Sequence, residues 1–250
     1  MPSFLGSRQA PPRPDVPVYA VGDIHGCADL LEEMLHRLAA HIVDSDSGDA
    51  RIVFLGDHID RGPESAAVLE RLADLATSEP DHVVCLRGNH EQMLLDFLDD
   101  ASAGPRWLKN GGRETLMSFG LPPLSHDAVR ETLEDVRVAF RQALPDGMED
   151  WLRGLPLTMR SGDLWAVHAG ADPSRGMEAQ VPQNLIWGHA DFARRPHRDG
   201  IWIVHGHTVV SRPRAEGGRI SVDTGAYRSG QLSAAAILPG KAVEFLTVTE

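Results

Sequence analysis

The sequence has few cysteines and no long apolar run. Its two cysteines are Cys27 and Cys85, fewer than a small secreted fold stapled by disulfides needs, so a cytoplasmic location is expected. No apolar run approaches the roughly 20 residues that cross a bilayer, which argues against a membrane-spanning helix. Residues 1–15 contain proline and arginine but no apolar core, so they predict a flexible leader instead of an export signal.

Positive charge is also scarce. Lysine and arginine number 24 against 36 aspartate and glutamate, which gives a formal net charge of −12. An acidic chain is poorly suited to a nucleic-acid backbone or an acidic membrane surface, so neither is an expected partner. It can still bind a phosphate group if metal ions invert the local field. There is no internal repeat, and the length of 250 residues suits one domain over residues 16–250.

Short apolar segments alternate with helical segments in the first two-fifths of the chain. The apolar segments lie at residues 16–21, 52–55 and 82–86, and each precedes a polar loop. This alternation predicts parallel strands in a covered sheet, with sites on the loops beyond the strands' carboxyl ends. Residues 105–155 have helical spacing. The last third predicts five strands, at 164–167, 201–204, 220–222, 232–238 and 243–248. Two packed sheets with outer helices are therefore expected.

Side chains that bind metals cluster where the predicted strands end. They are Asp23, His25, Asp57, Asn89, His168, His205 and His207. Carboxylate, imidazole and amide oxygen form a mixed ligand set that suits Mn²⁺, Fe or Zn²⁺ and needs no thiolate. Two such ions about 3.5–4 Å apart clamp the attacking and leaving oxygens of phosphate transfer and convert a bridging water to hydroxide. The pattern predicts a two-metal phosphatase.

Three loop motifs occur complete and in order: GDIHG at 22–26, GDHIDRG at 56–62 and GNHE at 88–91. With these motifs the chain resembles the phosphoprotein phosphatase branch of the calcineurin-like metallophosphoesterases, in particular small bacterial and bacteriophage serine/threonine phosphatases. RGNHEQM at 87–93, WLKNGG at 107–112, GHT at 206–208 and DTGA at 223–226 extend the resemblance. It implies an α/β fold, a four-layer α/β/β/α sandwich of two mixed sheets flanked by helices, with a helical flap over residues 105–155. An ordinary helical insertion is the alternative for that segment.

The resemblance also implies a role for each matching residue. Asp23 and His25 match ligands of a first metal ion, and Asp57 matches the carboxylate that bridges two ions. Asn89, His168 and His207 match ligands of the second ion, with Mn²⁺ the expected metal and Fe or Zn²⁺ the alternatives. The remaining roles are phosphate binding by Arg61, protonation of the leaving oxygen by His90, and orientation of His90 by Asp60. Glu91 belongs to the motif but receives no chemical step.

Two positions have alternatives in the sequence. His205 and His207 lie two apart on a predicted strand, so both face the same side and either can reach the metals. The Gly-His-Thr pattern favours His207, with His205 as a hydrogen-bonding partner. Similar bacterial phosphatases carry a second phosphate-binding arginine where this chain has His189. The hypothesis is that Arg61 and the metals hold the phosphate and that protonated His189 assists, with Arg194 or Arg195 as alternatives.

Three functions are compatible with these residues. The first is hydrolysis of phosphoserine or phosphothreonine in proteins, with phosphotyrosine as a further substrate if the enzyme has dual specificity, or of a small phosphomonoester. The second is cleavage of a dinucleoside polyphosphate such as diadenosine tetraphosphate, whose bacterial hydrolases share the first loop. Those enzymes more often read Asn-His-Asp and Ala-Arg-Gly where this chain has Asn89-His90-Glu91 and Asp60-Arg61-Gly62, which favours the first reading. The third is a non-catalytic, metal-stabilised binding module, which the His90–Asp60 pair opposes because a scaffold needs no general acid.

Overall fold

A computed structural model describes residues 10–250, and within this range two five-stranded sheets form the centre of the molecule. The first sheet has the strand order β10-β9-β1-β2-β3 and the second has β4-β5-β6-β8-β7. Their bounds are Val18–Val21 (β1), Arg51–Phe54 (β2), Val83–Cys85 (β3), Thr158–Ser161 (β4), Leu164–Val167 (β5), Trp202–His205 (β6), Arg214–Glu216 (β7), Arg219–Ser221 (β8), Gln231–Ile237 (β9) and Glu244–Thr249 (β10). Three adjacent strands run parallel in each sheet: β1, β2 and β3 in the first, and β5, β6 and β8 in the second. Antiparallel neighbours flank them, β9 in the first sheet and β4 and β7 in the second. Both sheets are therefore mixed, as predicted.

The core lies in layers because successive side chains of a strand point to opposite faces. Val18 and Ala20 of β1 face the second sheet and pack in one cluster with Ala166 and Val204. Their neighbours Tyr19 and Val21 face outward, onto the helices that cover the first sheet. On the far side of the second sheet a third apolar cluster, which includes Trp165, Leu185 and Phe192, is covered by a short helix and loops. The predicted four-layer α/β/β/α sandwich is confirmed.

Nine α-helices occur between residues 10 and 250. They are Ala28–Asp44 (α1), Ser65–Ser78 (α2), Asn89–Asp99 (α3), Gly104–Trp107 (α4), Arg113–Ser118 (α5), Arg130–Ala143 (α6), Met148–Gly154 (α7), Pro182–Trp187 (α8) and Ala226–Ser229 (α9). Helix α1 buries Leu30, Leu31, Met34 and Leu38, the spacing of one helical face. A π-helical turn at Leu108–Gly112 joins α4 to α5. Residues 104–154 are thus largely helical.

Two strands were missed by the sequence prediction. Strand β4 alternates buried and exposed residues within the polar segment TMRS, and all three residues of β7 are exposed. Each lies at an edge of the second sheet and pairs antiparallel with its only neighbour. Neither contains an apolar run, so backbone pairing and not apolar burial defines these strands.

Part of the predicted flexible leader is fixed in place. Residues 1–9 lie outside the described residues, but Ala10 accepts a hydrogen bond from the Trp202 indole (2.9 Å) and Pro12 accepts one from the Gly240 backbone (2.8 Å). The backbone of Arg13 donates to Asp163 (2.6 Å) and that of Asp15 donates to Ser161 (2.9 Å). Residues 10–15 therefore extend the domain, because backbone groups along them have partners there. Among residues 10–250, no helix combines the length and the apolar character needed to cross a membrane.

Candidate metal centre and active site

The predicted site residues meet where the carboxyl ends of the two sheets come together. The first two loops are tied by the backbone, since Ile24 and His25 both donate to the Asp57 carbonyl (3.2 and 3.0 Å). The second sheet joins them through His168, whose Nδ1 donates to the Leu55 carbonyl (2.9 Å), and through the His207 amide, which donates to the Asp23 carboxylate (3.1 and 3.0 Å). Loops distant in the sequence thus surround one buried cluster.

These loops have an unusual backbone. Six non-glycine residues between positions 10 and 250 have a positive φ, and five of them are predicted site residues: His25 (48°), Asp57 (51°), Asp60 (71°), Arg61 (70°) and His207 (60°). Side chains other than glycine rarely adopt this region, and such residues concentrate at functional sites. The neighbouring glycines permit close approach. A Cβ at Gly88 would collide with Asp57, and one at Gly206 would collide with Asp23.

Two groups of side chains can each hold a metal ion. Ligand atoms of His25, Asp57 and His90 lie within 4.8 Å of one another, as do those of Asp57, His168 and His207. Asp57 belongs to both groups, which is the position of a bridging carboxylate. Its Oδ2 lies 3.7 Å from His25 Nε2 and its Oδ1 lies 3.3 Å from His168 Nε2.

The other two predicted ligands border these groups. Asn89 Oδ1 lies 3.0 Å from His168 Nε2. Asp23 contacts the cluster through the His207 backbone and is 2% exposed. The first group contains His90, for which the family resemblance implies proton transfer, and not Asp23. The structure therefore brings all six predicted ligands into one region but leaves two candidates, Asp23 and His90, for the first ion.

Hydrogen bonds orient the imidazoles for metal binding. His25 Nδ1 donates to the Ile59 carbonyl (2.8 Å) and His168 Nδ1 donates to Leu55, so the Nε2 atom of each ring faces the cluster. Burial lowers the pKa of His25 to about 3. Burial and the neighbouring His168 lower the pKa of His207 to about 4. Both rings are thus neutral near pH 7, the form that binds a metal.

The ionised form of a buried carboxylate in this site is unfavourable unless positive charge lies beside it. Burial and the nearby Asp223 raise the pKa of Asp23 well above its ordinary value. Burial opposes ionisation of Asp57 as well, but His168 and His90 hold the pKa of Asp57 well below its ordinary value. Divalent cations beside these oxygens would relieve the repulsion, since isolated buried charges are costly. With its oriented lone pairs, this donor set fits a pair of dications with mixed O/N ligands.

A second buried network holds His90. His90 Nδ1 lies 2.7 Å from Asp60 Oδ2, and both residues are almost fully buried. Asp60 also accepts from the Trp107 indole (3.0 and 3.1 Å) and from the Thr115 hydroxyl (2.6 Å). Burial opposes charging of His90, but the carboxylates of Asp57 and Asp60 raise the pKa of His90. The ring is held so that its Nε2 faces the metal-ligand cluster.

Arg61 lies at the open side of the cluster. Its Nη1 is 3.1 Å from His25 Nε2, and its guanidinium carbon lies 4.8 Å from the centre of the Tyr227 ring. The residue is only partly buried. A guanidinium in this position can contact a phosphate group and the bulk solvent at the same time.

Glu91 has a role that the sequence did not reveal. It is fully buried, and its carboxylate accepts from the backbone N–H groups of Asp57 (2.9 Å), His58 (2.8 Å), Ile59 (3.4 Å) and Gly88 (2.8 Å). The side chain of α3 thus fixes the loop that carries the bridging carboxylate. Its place after His90 in the GNHE motif was the available signal, but three of its four partners lie more than 30 residues away and no local pattern identifies those three.

The structure separates His205 from His207. His205 Nδ1 donates to the Gly206 carbonyl (3.0 Å) and Nε2 lies 2.9 Å from the Ser221 hydroxyl, so both ring nitrogens have partners outside the metal groups. His207 is the histidine grouped with Asp57 and His168. The Gly-His-Thr pattern favoured this arrangement, in which His207 is the candidate ligand and His205 makes hydrogen bonds elsewhere.

His189 lies on the other side of the site. It lines a cavity of about 320 Å³ together with Trp187, Phe192, His207 and Thr208. Its Nδ1 accepts from the Asp191 backbone (3.2 Å). Neither Arg194 nor Arg195 lines this cavity, and Arg195 pairs with Asp191 instead (3.7 Å). The structure therefore does not place Arg194 or Arg195 in this cavity beside His189, where the second phosphate-binding arginine of similar phosphatases was expected.

Neutral and anionic metal ligands gathered at the carboxyl ends of two packed sheets, beside an arginine, define a metal-dependent hydrolase of phosphate esters. A family model described as calcineurin-like phosphoesterase matches residues 16–211. The chain therefore belongs to the calcineurin-like phosphoesterase family. The resemblance stated from the three loop motifs is confirmed.

Relatives within this family differ in the substrate that their names give. An asymmetrical bis(5'-nucleosyl)-tetraphosphatase of Bacillus velezensis is 29% identical over 234 residues, covering 85% of this chain and 86% of its own. The structure of a putative diadenosine tetraphosphatase aligns with a TM-score of 0.62 at 22% identity and covers 94% of this chain and 95% of its own. A serine/threonine phosphatase of Saccharomyces cerevisiae aligns with a TM-score of 0.63 at 16% identity, covering 95% and 81%. The two structural likenesses show the fold.

Proposed function

We propose that this protein hydrolyses dinucleoside tetraphosphates, using two divalent cations of which Mn²⁺ is the expected species, in the cytoplasm. The observation that carries the choice of substrate is the match to the Bacillus velezensis tetraphosphatase over nearly the whole of both chains. This reverses the order of candidates that the second and third loop motifs favoured, because similarity over 85% of the chain outweighs single positions such as Asp60 and Glu91.

Six side chains would hold the cations. Asp57 would bridge them, Asp23 and His25 would bind the first, and Asn89, His168 and His207 would bind the second. When bound, such a pair supplies Lewis-acid chemistry that polarises a phosphoryl oxygen and makes water a stronger nucleophile. The chain's contribution is a set of ligand side chains, among which the His25 and His168 rings are already oriented by backbone hydrogen bonds.

Three further residues would act on the substrate. Arg61 would bind the oxygens of the phosphate under attack, since its forked donors match two of them. His90, whose Nδ1 is engaged by Asp60 (2.7 Å), would donate the Nε2 proton to the oxygen that leaves. Asp60 would keep the ring in that tautomer and stabilise its charged form. His189 is proposed to contact phosphate from the opposite wall, beside His207.

A second candidate is a phosphomonoesterase that acts on phosphoserine or phosphothreonine in proteins. The observation that favours it is the buried pair of His90 and Asp60, braced by Trp107 and Thr115. A serine or threonine alkoxide leaves poorly without a proton, whereas a nucleotide leaves as a stable phosphate anion. A strongly held proton donor is therefore of greater use in the phosphomonoesterase.

A substrate panel with added Mn²⁺ tests both candidates. We expect diadenosine tetraphosphate to give the highest kcat/KM, above a phosphoserine peptide and p-nitrophenyl phosphate. The Asp57→Asn variant, purified in the same way, controls for contaminating phosphatases. Preference for the phosphopeptide would establish the second candidate and contradict the first. No Mn²⁺-dependent turnover of any of the three would indicate a metal-stabilised binding module instead.

A further inference from the structure

A groove on the surface includes Arg61 in its wall but none of the six proposed metal ligands. It has a volume of about 530 Å³, and its walls include Arg61, Lys109, Arg113 and Tyr227. Arg61 also contacts the proposed metal ligand His25, since Nη1 and Nε2 are 3.1 Å apart. The groove therefore begins at the place where the phosphate under attack would lie.

The groove is cationic although the chain is acidic. Arg61, Lys109 and Arg113 face a single carboxylate, that of Glu114, in a protein with a formal net charge of −12. Lys109 is one of two lysines in the chain. Within residues 10–250, neither Lys109 nor Arg113 lies within ion-pair distance of a carboxylate. Such charges are available to an anionic ligand.

The backbone of the π-helical turn fixes the position of these cations. Arg61 N–H donates to the Gly111 carbonyl (3.3 Å), and Asn110 Nδ2 donates to the Arg106 carbonyl (2.8 Å). Gly111 has a φ of 111°, and a Cβ there would lie 2.5 Å from the Arg61 nitrogen. The turn is thus pressed against Arg61, and π-helical turns are frequent at functional sites. Lys109 and Arg113, which flank this turn, consequently line the same groove as the phosphate-binding arginine.

We propose that this groove binds the phosphate groups of a polyphosphate chain beyond the one that is hydrolysed. The proposal rests on the proposed function and adds two specificity residues to it, Lys109 and Arg113. A single phosphate occupies only the Arg61 end, whereas each additional phosphate brings its own negative charge to the next cation. The groove would therefore distinguish a dinucleoside tetraphosphate from a simple monoester.

The test compares the double variant Lys109→Gln/Arg113→Gln with the wild type. We expect its KM for diadenosine tetraphosphate to rise about tenfold at low salt, from the loss of two exposed charge contacts, while its KM for p-nitrophenyl phosphate stays unchanged. The matched control is Arg37→Gln/Lys241→Gln, which removes the same charge from exposed positions outside the groove. An unchanged KM for the tetraphosphate overturns the proposal.

A second readout separates this proposal from the proposed function. ATP and orthophosphate are tested as inhibitors of p-nitrophenyl phosphate hydrolysis at a constant concentration of free Mn²⁺. We expect the double variant to lose affinity for ATP and to keep its affinity for orthophosphate. Suppose that the wild type fails to hydrolyse the tetraphosphate while the double variant still loses affinity for ATP and not for orthophosphate. That result would support polyphosphate binding in the groove and contradict the proposed function. If only the KM for a phosphopeptide with acidic neighbours rises, the groove binds acidic peptides and the polyphosphate proposal is wrong.

Discussion

His90 is the residue on which the geometry and the family resemblance differ most. Its ring lies in the same group as His25 and Asp57, so it is placed to bind a metal, yet Asp60 holds its Nδ1 at 2.7 Å and raises its pKa together with Asp57. Carboxylates on two sides favour the protonated ring, which is a proton donor and not a ligand.

The substitution His90→Asn separates these roles. We expect kcat to fall by a factor of about 10² or more, as for the loss of a general acid, with a larger effect on a phosphoserine peptide than on p-nitrophenyl phosphate. Bound metal should stay at the wild-type level, because the six proposed ligands are intact. Loss of a metal ion from the variant would show that His90 is a ligand.

Glu91 illustrates how one side chain determines the conformation of a loop. In Glu91→Gln the new amide group would face backbone N–H donors that the carboxylate now accepts. We expect the free energy of unfolding to fall by about 1–3 kcal/mol, the cost of buried donors without partners, and Mn²⁺ to bind more weakly. Denaturant unfolding and metal titration measure both effects. Asp96→Asn on the same helix is the control, and equal behaviour of the two variants would contradict this role.

At the scale of elements, helix α4 supports the catalytic pair. Trp107 is completely buried and stacks on Phe97, with the ring centres 5.0 Å apart. Its indole donates a hydrogen bond to Asp60, which lies 47 positions earlier in the chain. The helical segment that the sequence predicted as a flap or an insertion therefore contributes directly to the support of the site.

The substitution Trp107→Phe keeps an aromatic ring and removes the indole donor. We expect kcat to fall about tenfold because Asp60 then holds His90 less firmly, and stability to fall by about 1–3 kcal/mol for the lost bond to a charged group. Trp151→Phe in α7 is the control, since Trp151 is only partly buried. An unchanged kcat in Trp107→Phe would remove this residue from the support of the site.

At the scale of the whole molecule, hydrogen bonds attach residues 10–15 to the rest of the domain, mostly to the second sheet. A chain that begins at residue 16 loses the hydrogen bonds of Ala10, Pro12, Arg13 and Asp15. Compared with a chain that begins at residue 10, we expect it to be less stable by about 2–4 kcal/mol, since each bond is worth about 1 kcal/mol net. Thermal unfolding of the two chains measures the difference. Equal stability would show that the segment behaves as the flexible leader that its composition predicted.

Much of this architecture could be predicted because the pattern is local. A short apolar strand that ends in glycine and aspartate, as at Gly22-Asp23 and Gly56-Asp57, indicates both the strand and the edge of the sheet where its loop lies. Parallel pairing then brings the loops together, so most candidate ligands followed from the sequence and the resemblance.

The parts that were missed depend on distant contacts. Strand β7 is wholly exposed and carries no apolar signal, and Trp107 reaches Asp60 only through the tertiary fold. Three partners of Glu91 likewise lie more than 30 residues away, and the cationic groove joins Arg61 to Lys109 and Arg113 of a later segment, which no periodicity reveals. The hydrogen bonds of residues 10–15 also reach residues far along the chain, which composition does not reveal.

The central claim is that Asp23, His25, Asp57, Asn89, His168 and His207 together hold two cations. The most direct test is the number of Mn²⁺ ions bound per chain after reconstitution and removal of free metal, measured by elemental analysis on wild type, Asp57→Asn and Arg61→Gln. We predict two ions for the wild type and for Arg61→Gln, and a loss from both sites in Asp57→Asn because that carboxylate is shared. One ion or none in a folded, saturated wild type would contradict the account.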